Sequence, residues 1–85
     1  MTAALDPVVT IGAARIAAIV ERSIGSQRAG GVFAWGAKRP LAILIRHNGV
    51  TTAFDTDGKP IALADVDRRF AGLRARFERL AEGMP

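Results

Sequence analysis

Cysteine and tyrosine are absent from this 85-residue chain, and it has one histidine, one tryptophan and four phenylalanines. Without thiols, neither a disulfide framework nor a thiolate zinc site can hold the fold, so an apolar core has to do it. Long apolar runs are missing too. Arg15, Glu21 and Arg22 interrupt the longest one, well short of the roughly 20 residues that a spanning helix needs. The opening residues, from Met1 to Pro7, place no basic segment ahead of an apolar one, so no secretion signal is expected and a cytoplasmic location is the simplest expectation.

The same scarcity limits chemistry. One imidazole and no thiol leave zinc and nucleophilic catalysis short of residues. His47 stands beside Asn48-Gly49, where a turn-flanking role is expected rather than that of a base with an orienting partner. Ser23 and Ser26 lie in no nucleophile turn. Two fragments imitate binding loops and fail on inventory. Counting back from Gly58 as the sixth position of a calcium loop puts Asp55 and Asp57 in place but Ala53 first and Ala64 twelfth, so an aspartate-glycine turn is expected. The stretch from Gly25 to Gly31 has the glycine spacing of a phosphate loop, yet Gly31 occupies the lysine position and a strand follows. No enzyme, cofactor or metal is expected.

What is present is an apolar, mixed-charge chain: 49% hydrophobic residues, 24% charged and a mean hydropathy of +0.19. That composition folds rather than staying disordered, and 85 residues make one domain over 1–85. The net charge is +4. It is unevenly spread, at zero over residues 1–27, +3 over 28–60 and +1 over 61–85. Arginine outnumbers lysine while alanine and glycine abound, a bias that a GC-rich genome produces by itself, so the basic balance carries little weight.

Along the chain, Asp6-Pro7 reads as a helix start, with Val9, Ile16, Ile19, Val20 and Ile24 on one broad face and Gly25 as the stop. The rival reading makes Val8 to Ile11 a short β-branched strand, with the helix beginning near Gly12. After a polar loop from Ser26 to Gly31 the period becomes alternating. Strands are expected at Val32 to Trp35, Leu41 to Arg46 and Val50 to Asp55, with a turn at Gly36 to Pro40 and a tight hairpin at Asn48-Gly49. Lys59-Pro60 is expected to stop further pairing. Leu63, Val66, Phe70, Leu73, Phe77 and Leu80 then recur at helical steps of three and four. The run is too short for a secure coiled coil, and packing against the sheet is preferred.

The expected fold is therefore α+β: an N-terminal helix, a three-stranded antiparallel β-meander and a C-terminal amphipathic helix, α-β-β-β-α. Alternation divides the sheet into two sets. Phe33, Trp35, Leu41, Ile43, Ile45, Thr52 and Phe54 form the expected core face; Val32, Ala34, Ala42, Leu44 and Ala53 form the other. Neither is polar enough to sit comfortably in water, so the second set needs a helix or another chain over it. The leading functional expectation is a non-enzymatic protein-interaction module, a homo-oligomer that pairs through Val32, Ala34, Leu44 and Ala53. The alternative is a nucleic-acid binder that grips phosphates with Arg28, Lys38, Arg39, Arg46 and Lys59. No membrane partner is expected.

Overall fold

Valine, isoleucine and threonine crowd the first half of the chain, and their branched Cβ suits a pleated surface better than a helix. In the computed structural model, which describes the backbone of residues 2–25 and 35–83 and the side chains of 2–22 and 38–83, the described part of that half is sheet. The strands are β1 (Thr2–Leu5), β2 (Val9–Ile11), β3 (Ala14–Gly25), β4 (Trp35–His47), β5 (Val50–Phe54) and β6 (Pro60–Ile61); the helices are α1 (Leu63–Arg69) and α2 (Leu73–Glu82). All strand pairs are antiparallel, in the order β1-β3-β4-β5-β6, with β2 beside β1 on the same edge of β3. The molecule measures 49 × 28 × 22 Å.

This overturns the α-β-β-β-α expectation: a six-stranded sheet is followed by two C-terminal helices, and the described residues 2–25 form strands, with no helix among them. The rival reading of Val8 to Ile11 was the nearer one, since Val9–Ile11 is a strand. Asp6-Pro7 does not start a helix but interrupts an edge strand. The register sum shifts by one between Leu5↔Ile19 and Val9↔Ile16, so Asp6, Pro7 and Val8 bulge where proline has no N–H to give. Asp6 keeps one ladder bond, its N–H donating to the Ala18 carbonyl at 2.9 Å. Gly12, with φ +59°, opens the two-residue turn that joins β2 to β3.

Three further expectations change. Lys38, Arg39 and Pro40 lie inside β4, and Pro40 is accommodated at a bulge where Val20 pairs with Pro40 and Ile19 with Ala42. Lys59-Pro60 does not end pairing, because Pro60 sits on the outermost strand, where a missing donor costs little. The last segment is two helices. Phe70 leaves α1 and Gly72 turns left-handed at φ +81°, so α2 starts in a new phase. Leu73, Phe77 and Ala81 then face the sheet, and Leu80 is left 45% exposed. The Asn48-Gly49 hairpin forms, with positive φ at both residues and His47 opposite Val50.

The core lies between one sheet face and the two helices. Ala17, Ile19, Ala42, Leu44 and Ala53 supply the sheet side; Val66, Phe70, Phe77 and Ala81 supply the helices. Three alanines in the sheet let the helix backbones come close, and Phe77, fully buried, fills the gap between layers.

Candidate functional site

Alternation that buries Ala17, Ile19, Ala42 and Leu44 necessarily turns their neighbours the other way. Registers place Val9 opposite Ile16, Ile16 opposite Ile45 and Ile45 opposite Thr52, one continuous row across four strands. A second row runs Ala18, Ile43, Phe54 and Pro60. Ile11 with Ala14, and His47 with Val50, complete the surface at the turn end. None of these residues carries a formal charge at neutral pH with His47 neutral. Neither helix crosses this outer face, and Val9, Ile11 and Val50 are 51%, 62% and 60% exposed while Ile16, Ile43, Ile45 and Phe54 are partly exposed. Branched side chains lying open side by side form the kind of apolar patch that marks a contact surface.

The interface expected at Val32, Ala34, Leu44 and Ala53 is placed differently. Leu44 and Ala53 do share a face, but it is the inner one, at 0% and 2% exposure beneath the helices, with no surface to offer a second chain. Val32 and Ala34, with Phe33, lie outside the described residues. The division of Ile43, Ile45, Thr52 and Phe54 from Ala42, Leu44 and Ala53 holds, and the core assignment of the two sets is reversed. Leu41, at the bulge, packs with the core.

Of the cations considered for phosphate, Lys38, Arg39 and Arg46 are each paired with carboxylates. Arg28 lies outside the described residues. Lys38 reaches Asp6 at 3.2 Å, Arg39 reaches Glu21 at 2.9 Å, and Lys59 is exposed in the turn after β5. Arg46 is turned inward. Its Nη1 donates to Thr51 Oγ1 at 2.6 Å and lies 3.5 Å from Glu78, and its Nη2 donates to Glu82 Oε2 at 2.6 Å. From Glu78 the chain of charges continues to Arg74 at 3.2 Å, and Arg74 grips Asp67 with two bonds of 3.0 and 2.7 Å. Those bonds hold the Asp67 carboxyl below its ordinary range and push the Arg74 guanidinium up. The network ties α1, α2, β4 and β5 together, so Arg46 serves the fold.

The other chemical candidates resolve into structure. Asp55 Oδ1 accepts from the Asp57 and Lys59 N–H groups, both at 2.9 Å, which makes it a turn residue. Among the described residues no cluster of His, Cys, Asp or Glu is arranged to hold a metal ion, and no helix is long and apolar enough to cross a membrane. His47 is exposed at the end of β4. Asp65 pairs with Arg68 at 2.6 Å, and the Arg69 guanidinium lies 4.9 Å over the Phe70 ring.

Compared with known proteins, the chain matches no family model, no curated protein and no solved structure. The site therefore stands on its geometry. Val9, Ile11, Ile16 and Ala18 are not legible as a sheet face in the sequence, because Asp6-Pro7 imitates a helix start ahead of them. The signal that could have found them is their branching, together with Gly12 two residues before Ala14, the spacing of a hairpin turn.

Proposed function

We propose that this chain is a non-enzymatic protein-interaction module whose docking surface is the outer face of the sheet. The observation that carries this reading is the uncharged face from Val9 to Phe54, with three large aliphatic side chains more than half exposed. Covering it removes apolar surface from water at about 25 cal/mol per Å². The network of Arg46, Glu78, Glu82, Arg74 and Asp67 supports the reading indirectly: it pins both helices to the opposite face, so they are not available to close over this one.

The test compares three immobilised forms of the full chain: wild type, Ile11→Lys on the outer face, and Ala75→Lys on the exposed side of α2. Proteins retained from extracts of the source cell are compared, further copies of the chain included. A partner held by wild type and Ala75→Lys but lost from Ile11→Lys, and kept at raised salt, is the expected result. Equal retention by all three would sink the assignment.

A further inference from the structure

We infer that the occupant of the outer face is a second copy of this chain, seated sheet against sheet, with both helix pairs outward. The inference rests on the docking reading above and commits it to one partner.

Three physical features select that partner. The first is charge. A partner bringing ionised side chains onto this strip would strip them of water with nothing to pair them, which opposes binding. An identical strip brings none, because no Asp, Glu, Lys or Arg lies in the rows that run from Val9 and Ile16 to Thr52 and from Ala18 to Phe54. The second is shape. Branched side chains on a pleated surface interdigitate with another such surface, at a sheet spacing of about 10 Å and with strands within about 30° of one another.

The third feature sets the orientation. At the far end of this same face, Arg22 pairs with Lys38 across the strands, and both lean on one carboxylate, Asp6, at 3.7 and 3.2 Å. Two cations on one anion leave that end positive. Seating the copies with these ends together would juxtapose like charges. Turning one copy end for end lays each basic end beyond the other's uncharged turns, Gly12-Ala13 and Asn48-Gly49. The twofold axis then crosses the strands at the level of Ile16, Ile45 and Thr52, and each strand lies over its own counterpart.

Size sets the strength. Five strands at about 4.8 Å by five residues at about 3.3 Å give roughly 400 Å² in projection per copy. The pair buries on the order of 1,000 Å², at the low end of specific interfaces. Association is accordingly weak and concentration-dependent.

Sedimentation of the full chain from about 1 to about 500 µM tests this, alongside Ile11→Lys, with circular dichroism to show that the variant folds. The expected result is a mass rising from the single-chain 9.0 kDa toward twice that value, with the two-copy species lost in the variant. Because the chain has no cysteine, Thr2→Cys takes a single nitroxide per copy and leaves Arg22, Lys38 and Asp6 in place. Thr2 is exposed in the same row as Arg22 and Lys38, about six residues from the axis, so the labels should lie about 40 Å apart. A short label separation would overturn the end-for-end seat, and a dimer untouched by Ile11→Lys would overturn the face. A chain that stays single throughout overturns the second copy. If Ile11→Lys still loses a retained partner in that case, docking at the face stands; if it loses none, both readings fall.

Discussion

The inner and outer faces of the central strands are made of much the same residues and end in opposite environments. Leu44 is fully buried under α1 and α2, while its neighbours Ile43 and Ile45, on the same strand, are only partly covered. Hydrophobicity does not separate the two sets. Polar residues do: the inner face alone carries Arg46 opposite Thr51, and this pair meets Glu78 and Glu82, one turn apart on α2. Two acids spaced to face the sheet find Arg46 at their level on the inner side, where the outer side presents Ile45 and Thr52. Burial provides the energy of helix docking, and these few charges help select the side on which it happens.

The strongest way to break this comparison is to truncate equivalent side chains on the two faces. Phe77→Ala removes a fully buried ring from the inner layer and should cost about 3–5 kcal/mol, most of the stability of so small a domain. Ile45→Ala on the outer face should cost about 1 kcal/mol or less in the single chain. Urea unfolding of both variants at low concentration measures the gap, and equal costs would mean that the outer face is covered within one molecule.

The next effect concerns the choice of side. Arg46→Met keeps much of the bulk of the side chain but takes the cation from Glu82 and leaves Glu78 with Arg74 alone, an expected loss of about 1–3 kcal/mol. Lys38→Met, which breaks an exposed pair to Asp6, should change stability by less than about 1 kcal/mol. Denaturant midpoints for the two variants check the ratio.

Gly72→Ala sharpens the comparison from the helix side. A Cβ there meets no atom within 4 Å, so the cost is that of holding alanine at φ +81°, about 1 kcal/mol. A larger loss in thermal unfolding would show that α2 cannot keep its phase once the turn is strained.

The smallest effect is in acid. Asp67 is held below its ordinary range by its bonds to Arg74, so the folded carboxyl is more acidic than the unfolded one. Its contribution is present above the unfolded value of about 3.9 and is lost as the pH falls through the folded value. Asp67→Asn should lower Tm slightly at pH 7, and the difference from wild type should vanish in strong acid.

How much of this was readable beforehand differs along the chain. Asn48-Gly49 announced its hairpin, and Asp55 to Gly58 its turn, because those residues satisfy their backbone locally. The helical stripe from Leu63 to Phe77 was also plain, although Gly72 concealed a break that moved Leu80 off the core face and Ala81 onto it. The first third misled. A strand flanked on both sides, with Ala17 and Ile19 facing one way and Ile16 and Ala18 the other, loses its alternation and reads as a helix start behind Asp6-Pro7. For the candidate site, the grouping of Ile43, Ile45, Thr52 and Phe54 was correct, and only their side of the sheet was not.

By itself the sequence determined the Asn48-Gly49 hairpin, the turn from Asp55 to Gly58, the alternation from Leu41 to Phe54 and the amphipathic last segment, because each is written in the conformational preferences of neighbouring residues. Only the tertiary structure decided which apolar face became the core, because that depended on contacts such as Arg46 with Glu82, 36 residues apart, and on the phase at which α2 leaves Gly72. Local preference has no means of registering either, since each acquires its meaning only when the layers meet.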